Sequence, residues 1–458
     1  MRLLPSILLI PCLLLALSAQ AQVHEYTLDN GLRVIVKEDH RAPVVVSQIW
    51  YKVGSSYEHR GITGISHVLE HMMFKGTEKH PAGEFSRIIA ENGGQENAFT
   101  GRDFTAYFQQ LEKSRLPVSF ELEADRMRNL LLPPEEFKKE VKVVREERRL
   151  RTEDDPQSLT YERFMATAFL TGRYHNPVIG WSDDLESLTD AQLRQWYRRW
   201  YAPDNATLVV VGDVQGDAVR DLAEKYFGPL KPSDIPPLEP RVEVEQSGER
   251  RITVAAPAEL PFLIMGYKVP VLRTADAPWK AYALEVLAAV LDGGESARLS
   301  RTLVRGRQVA ASAGAGYNLH SRYGTLLSLQ GVPAKGKSMA DLEAALREQI
   351  ARLRSEPVTN EELARVKAQV TASKVYERDS IFYQAMQLGT LATVGLDWRL
   401  ADEYADKIRA VTAEQVRQVA REFLTDERLT VAQLKPLPIK PGTKRPRSPA
   451  GGGTDVLR

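Results

Sequence analysis

The stretch LTDAQLRQWYRRWYAPDNATLVVVGDV (residues 188–214) decides the fold, because VTAEQVRQVAREFLTDERLTVAQL (residues 411–434) repeats its pattern 223 residues later. Thr189 matches Thr412, and the polar residues that follow match at the same spacing. Each stretch is typical of a capped amphipathic helix, a turn and a buried strand. So long a period indicates duplication of a whole domain of about 200 residues. Two unrelated segments with the same helix and strand pattern are the alternative.

Each half mixes alternating strands, such as GLRVIVKED (residues 31–39), with long helices that do not alternate strictly with the strands. This pattern favours an α+β fold of two homologous sandwich domains, each with a largely antiparallel sheet packed against helices. The proline-rich stretch at residues 231–242 is typical of a linker. We therefore predict a first domain at 22–230, a second at 243–435 and a disordered tail at 436–458, solvated rather than held at an anionic surface.

The N-terminus is typical of a cleaved secretory signal at residues 1–21, with a positive start, an apolar core and an AQA cleavage site. A non-cleaved anchor is the alternative. The only cysteine, Cys12, lies inside this segment, so the mature chain needs no disulfide in an oxidising compartment. We predict a periplasmic or secreted protein with no integral membrane segment after cleavage. The net charge of +1 gives no electrostatic reason to expect nucleic acid as a partner.

The stretch GISHVLEHMMF (residues 64–74) places two histidines and a glutamate within five residues of an apolar run. On a helix, His67, Glu70 and His71 share one face. Two neutral imidazoles one turn apart suit zinc, and a carboxylate beside them suits a general base. The order H-x-x-E-H inverts the commoner metalloprotease motif. Two core histidines satisfied by backbone or water are the alternative, and a metal site needs a third ligand.

The stretch PEEFKKEVKVVREERRLRTEDDP (residues 134–156) predicts a helix with a buried apolar arc that contains Glu140 and Glu147. The apolar residues of this arc are Phe137, Val141, Val143, Val144 and Leu150. A carboxylate in such an arc is costly unless it meets a cation or a metal. We therefore predict Glu147 as the third zinc ligand and Glu140 as a group that supports a ligand. The alternative is a solvated, charged helix, and we expect Glu146, Arg148 and Arg149 to fit that description.

Several motifs together resemble the pitrilysin/insulinase family of zinc metallopeptidases. They are HVLEHMMFKGT (67–77), NGGQENAFTGRDFTAYF (92–108), RYHNPVIGW (173–181), WYAPDNATLVVVGDV (200–214) and a glutamate 76 positions after His71. The resemblance is closest to the two-domain bacterial branch related to mitochondrial processing peptidase. It implies one Zn²⁺ per chain, held by His67, His71 and Glu147, with Glu70 as general base and Glu140 in support.

The segment ENAFTGRDFTAYF (residues 96–108) alternates enough to predict one strand after a glycine turn. In the family the matching strand is a sheet edge on which an extended peptide substrate lies. The resemblance thus implies that Asn97 and Ala98 contact the backbone of the substrate. Without it, we would expect an ordinary edge strand in which Asn97 bonds to its own turn.

One departure from the family pattern bears on activity. Active members usually carry an arginine and, seven positions later, a tyrosine in the second half, whereas LVRGRQVAAS (residues 303–312) places Val304 and Ala311 there. Other residues of the chain could substitute, namely Arg305, Arg307 or Tyr317. Otherwise a sister subunit of the same family supplies the pair in a hetero-oligomer. The expected function is an exported zinc endopeptidase, and a non-catalytic peptide-binding or scaffold subunit is the alternative.

Overall fold

The computed structural model describes residues 22–233, 235, 237–238 and 241–439. The predicted signal peptide at 1–21 and the predicted tail from residue 440 onward lie outside these residues. None of the described helices is both long and apolar enough to cross a membrane.

The first half forms a six-stranded sheet packed against helices. Its strands are β1 (Val23–Thr27), β2 (Arg33–Glu38), β3 (Val44–Tyr51), β4 (Gln95–Thr100), β5 (Thr105–Glu112) and β6 (Ala206–Gly212). Its helices are α1 (Ile65–Met72), α2 (Glu84–Glu91), α3 (Leu116–Arg128), α4 (Pro134–Arg148), α5 (Pro156–Ala168), α6 (Ser182–Ser187), α7 (Asp190–Trp200) and α8 (Gly216–Phe227). The strand order is β1-β2-β6-β3-β5-β4; β2 and β6 run parallel and the other neighbours antiparallel.

The second half forms a five-stranded sheet with its own helices. Its strands are β7 (Arg250–Pro257), β8 (Phe262–Val269), β9 (Ala310–Gly316), β10 (Thr325–Pro333) and β11 (Leu429–Leu437). Its helices are α9 (Pro278–Asp292), α10 (Met339–Ser355), α11 (Asn360–Glu377), α12 (Ile381–Val394), α13 (Leu400–Ala410) and α14 (Ala413–Phe423). The order is β7-β11-β8-β10-β9, again with one parallel pair, β7 and β11.

The repeated sequence forms the same structure in both halves. Helices α7 and α14 each begin with a capping box, in which Thr189 and Gln192, or Thr412 and Gln415, exchange hydrogen bonds with each other's backbone amides. The strands that follow, β6 and β11, occupy equivalent places, parallel to one neighbour and antiparallel to the other. The predicted α+β fold of two homologous domains is confirmed. Strand β11 runs to Leu437 because its end still pairs with β7, so the predicted tail starts too early.

The two halves exchange one helix each. Helix α12 of the second half packs on the first sheet, where Met386 and Leu388 join Trp50 and its neighbours in one apolar cluster. Helix α5 of the first half packs on the second sheet, where Phe164 and Met165 lie among side chains of β7, β8, β10 and β11. Each sheet therefore has one face covered by the other half.

Two glycines receive the aromatic rings at these contacts. A Cβ on Gly389 of α12 would lie only 2.1 Å from Cε2 of Trp50. A Cβ on Gly266 of β8 would lie 2.6 Å from Cζ of Phe164. Both rings are fully buried, so each glycine supplies the space that lets a helix of one half approach the sheet of the other.

The segment between the halves is anchored to both halves through Glu243. Glu243 accepts hydrogen bonds from the amides of Leu170, Thr171 and Gly172, and from Lys268 Nζ at 2.6 Å. Partial burial raises the pKa of Glu243, but the hydrogen bonds from Lys268 and the amides outweigh it and hold that pKa at about 2. Within the described residues, no helix or strand lies between Phe227 and Arg250.

We expect Gly389→Ala to lower the free energy of unfolding by about 1–3 kcal/mol, because the new methyl group overlaps the ring of Trp50. In an unpacked helix the same change is favourable by about 0.5–1 kcal/mol, so packing and helix propensity predict opposite signs. Urea unfolding measures the difference. In a Trp50→Leu background the same Gly389→Ala change should cost less, because the ring that the methyl group overlaps is gone. A more stable Gly389→Ala protein would contradict the proposed close packing.

Candidate metal centre

Helix α1 places His67, Glu70 and His71 on one face because the other faces of the helix are buried in the first half. Its buried residues are Ile65, Ser66, Val68, Leu69 and Met72. His67, Glu70 and His71 share the remaining face, and the two imidazole rings lie 4.9 Å apart. The predicted arrangement of the H-x-x-E-H motif on a helix is therefore present.

Glu147, from the last turn of α4, meets the two histidines. Its Oε2 lies 3.6 Å from His71 Nε2 and 3.9 Å from His67 Nε2. Ligand atoms bound to one tetrahedral zinc ion are about 3.3 Å apart, so these separations and this donor set fit a zinc site. Among the described residues, no other group of three His, Cys, Asp or Glu side chains comes together closely enough to hold a metal.

The second polar atom of two of these side chains has its own partner. His71 Nδ1 lies 3.1 Å from Glu140 Oε2, and Lys75 Nζ lies 2.6 Å from Glu140 Oε1. A proton on Nδ1 directed at Glu140 leaves the lone pair of Nε2 facing Glu147. On Glu147, Arg151 Nη1 lies 2.5 Å from Oε1, which leaves Oε2 for the cluster. We did not predict Arg151, although its position four residues after Glu147 could have indicated this pairing.

Glu70 lies next to the cluster and has a hydrogen-bond partner of its own. Thr100, the last residue of β4, donates a hydrogen bond to Glu70 Oε2. Burial raises the pKa of Glu70 above its ordinary value. Burial, together with nearby His71 and Arg151, lowers the pKa of His67 to about 3, so its imidazole is neutral, as a metal ligand must be. Thr100 was not predicted, although it lies within a motif quoted above.

The predicted buried arc of α4 was wrong in part. Val143 and Leu150 are 48% and 39% exposed, whereas Arg148, predicted on the surface, is 3% exposed. At about 100° per residue, the true buried side is centred near Val144 and Arg148, and Glu147 lies at its border with Val143 beyond it. Helix α4 also ends at Arg148, where a π-helical turn at Arg149–Glu153 begins. Glu146 is exposed and pairs with Arg149, as predicted.

The predicted single strand at residues 96–108 is a hairpin of β4 and β5. The chain reverses where Gly101 N donates to Phe104 O at 2.8 Å. Strand β4 lies at the edge of the sheet. Asn97 is exposed and its Oδ1 accepts from the amide of Ala98, whose side chain is half-buried.

The segment that lacks the arginine–tyrosine pair lies in the second half. Ala311 is exposed on β9, the edge strand of the second sheet, and Val304 is half-buried in the preceding π-helical segment, Leu299–Gly306. The three possible substitutes have local partners. Arg305 donates to the carbonyl of Glu295, Arg307 pairs with Glu348, and Tyr317 donates to the carbonyl of Pro270 at 2.8 Å.

Comparison with known proteins adds to this geometry. The family model described as insulinase (peptidase family M16) matches residues 33–181, and the model described as peptidase M16 inactive domain matches residues 187–370. The chain is 33% identical over 440 residues to the zinc protease PqqE of Helicobacter pylori, covering 93% of this chain and 97% of that protein. This chain belongs to peptidase family M16. That family is the pitrilysin/insulinase family expected from the motifs.

Solved structures of bacterial proteases share the fold. A protease from Helicobacter pylori superposes with a TM-score of 0.86 at 30% identity, covering 91% of this chain and 100% of that one. The periplasmic protease PqqL of Escherichia coli superposes with a TM-score of 0.75 at 19% identity, and covers 92% of this chain but 49% of PqqL. The names of the M16 relatives imply zinc for the family and support a peptidase role for this chain.

We expect Glu147→Gln to reduce zinc affinity by more than the roughly 10- to 100-fold caused by loss of a supporting residue. Glu146→Gln is the matched control, because Glu146 is the adjacent carboxylate on the exposed side of α4. Zinc content after dialysis, measured by mass spectrometry, compares the two variants. Unchanged zinc content in Glu147→Gln, with or without loss in Glu146→Gln, would exclude Glu147 as a ligand.

Proposed function

We propose that this chain is an exported zinc endopeptidase that hydrolyses peptides or unfolded polypeptides. The observation that carries the proposal is the convergence of His67, His71 and Glu147 with Glu70 beside them and outside the ligand group. Three protein ligands leave a coordination position open, which is the arrangement of catalytic rather than structural zinc sites. The zinc protease relatives of the M16 family support the same activity.

In this proposal His67, His71 and Glu147 would hold one Zn²⁺, because His67 Nε2, His71 Nε2 and Glu147 Oε2 face one another. When bound, zinc would polarise the scissile carbonyl and lower the pKa of a water molecule at the site. Glu140 holds the ring of His71, and Arg151 holds Oε1 of Glu147. These contacts keep the ligands oriented before the metal binds, which reduces the entropy lost on binding.

Glu70 acts as the general base. Its carboxylate accepts a proton from the attacking water and later delivers it to the leaving amine. The hydrogen bond from Thr100 holds Oε2, so Oε1 is the oxygen available for the proton. The raised pKa of Glu70, caused mainly by burial, suits a group that both takes up and releases a proton.

The substrate would lie in extended form along β4, the free edge of the first sheet. Thr100 at one end of β4 contacts the general base, so a peptide paired with this strand would run past the metal centre. Asn97 and Ala98 would contact the backbone of that peptide. Backbone pairing gives affinity with little sequence preference.

Export and a partner subunit complete the proposal. The N-terminal sequence at residues 1–21 supports export, and a periplasmic protease with the same fold is compatible with it. The absent arginine–tyrosine pair at Val304 and Ala311 supports a sister subunit of the same family in a hetero-oligomer. The same absence favours the second candidate function, a non-catalytic peptide-binding or scaffold subunit.

The Glu70→Gln variant separates the two functions. We expect it to keep its zinc and to lose about 100- to 10,000-fold in turnover of a quenched peptide, because the amide keeps the shape but cannot accept the proton. Zinc content and hydrolysis are measured on the same sample. Zinc loss as large as in Glu147→Gln would show that Glu70 is a ligand. Wild-type protein that holds zinc but hydrolyses no peptide, alone or with a sister chain, would support the non-catalytic scaffold function.

We further expect the purified chain to gain about 100- to 1000-fold in peptide hydrolysis when a sister chain that carries the pair is added, because that is the usual effect of one oxyanion donor. Mass and activity are measured together in solution. The matched control is the same sister chain with its arginine and tyrosine replaced by Val and Ala. Full activity of the lone chain, unchanged by the sister, would exclude a shared active site while leaving the zinc assignment intact.

A further inference from the structure

The motif RYHNPVIGW (residues 173–181) has no role in the proposed chemistry, yet its end lies against the start of α1. Gly64, at the start of α1, and Gly180 both have φ near 86°. A Cβ on Gly180 would lie 2.5 Å from the carbonyl of Thr63 and 2.6 Å from Cα of Gly64. A Cβ on Gly64 would lie 2.7 Å from the carbonyl of Ile179. The turn and the start of the helix are therefore in direct backbone contact.

Arg148 connects the same turn to the end of α4. Its Nη1 donates to the carbonyl of Gly180 at 2.8 Å and to Glu162 Oε2 at 2.6 Å, and its Nη2 donates to Glu162 Oε1 at 3.0 Å. Its Nε also lies 3.2 Å from the half-exposed Glu153. The side chains of Arg148 and Glu162 are each only 4% exposed. Arg148 directly follows Glu147 and is the last residue of α4.

Two buried carboxylates, Asp184 and Glu58, also accept hydrogen bonds from the residues at the start of α1. Asp184 accepts from the amide and the hydroxyl of Thr63, whose hydroxyl oxygen accepts from the amide of Trp181. Glu58 accepts from the amides of Gly64 and Ser66 at 2.7 and 2.9 Å. Gly64 has no side chain to cap the helix, so Glu58 satisfies amides that would otherwise be buried without a partner.

These contacts fix the start of α1 and the end of α4, the two helix ends that carry the proposed zinc ligands His67 and Glu147. His67 lies in the first turn of α1 and Glu147 in the last turn of α4, and both ends are bound to the turn formed by residues 177–181. We propose that Arg148 is a positioning residue that sets the separation of His67 and Glu147 by holding this turn against α4. The inference rests on the proposed function, because it concerns the affinity and geometry of the zinc site.

A buried ion pair is weak evidence of a stabilising role, because a well-packed apolar pair often stabilises a protein equally well. The hydrogen bond from Arg148 to the Gly180 carbonyl is different, since no apolar side chain can replace it. Stability and positioning can therefore be separated by removing both charges at once.

The test compares Arg148→Met, the double variant Arg148→Met/Glu162→Leu, and Arg149→Met, which removes the adjacent exposed arginine. Unfolding of the metal-free proteins by urea reports stability. Chelator competition reports zinc affinity, and the visible absorption spectrum of the Co²⁺-loaded protein reports the geometry of the ligands.

We expect Arg148→Met to lose stability, because Glu162 is left buried without its partner, and the double variant to recover most of it. Both should nevertheless bind zinc about 10- to 100-fold more weakly and show an altered Co²⁺ spectrum, and Arg149→Met should match the wild type. A double variant with wild-type zinc affinity and Co²⁺ spectrum would overturn the positioning role and leave the proposed function standing. Wild-type protein that binds no zinc would overturn the proposed function and this inference together.

Discussion

The exchange of α5 and α12 between the halves is the constraint on which the rest of the structure depends. Each sheet has an apolar face that its own half leaves uncovered, and burying such a face is the main source of folding free energy. Trp50 against Gly389 and Phe164 against Gly266 make this contact close on both sheets. The exchange places α12 on one face of the first sheet and leaves the opposite face for α1 and its neighbours. Because side chains alternate along β4, Phe99 joins the cluster on the α12 side, and Thr100 reaches Glu70 on the other.

Local patterns in the sequence were enough to predict the elements that carry the site. The capping boxes at Thr189 and Thr412 use residues three apart, and the H-x-x-E-H motif needs a single helical turn, so neither depends on distant parts of the chain. The convergence of Glu147 with His67 and His71 was also predicted, although Glu147 lies at the border of the buried side of α4 and not inside it.

The errors arise where distant contacts decide the outcome. Arg148 is as polar as Arg149, and only the presence of Glu162 and the Gly180 carbonyl makes its burial favourable. Val143 looks like a core residue, but α4 turns that side away from the core. The hairpin between β4 and β5 was missed because a strand and two strands joined by a short turn show the same alternation. The helix exchange left no periodic signal at all.

The helix exchange also has a consequence for the nascent chain. Domains usually fold in the order in which they are synthesised, the N-terminal one first. Here the sheet around Trp50 remains without its cover until α12, near the C-terminal end, has been made, and β7, β8, β10 and β11 need α5 from the first half. The two halves must therefore complete their folding together, late in synthesis. Until then an apolar sheet face is open to chaperones or to a second nascent chain. Because each half completes the core of the other, the duplicated protein folds as a single cooperative unit.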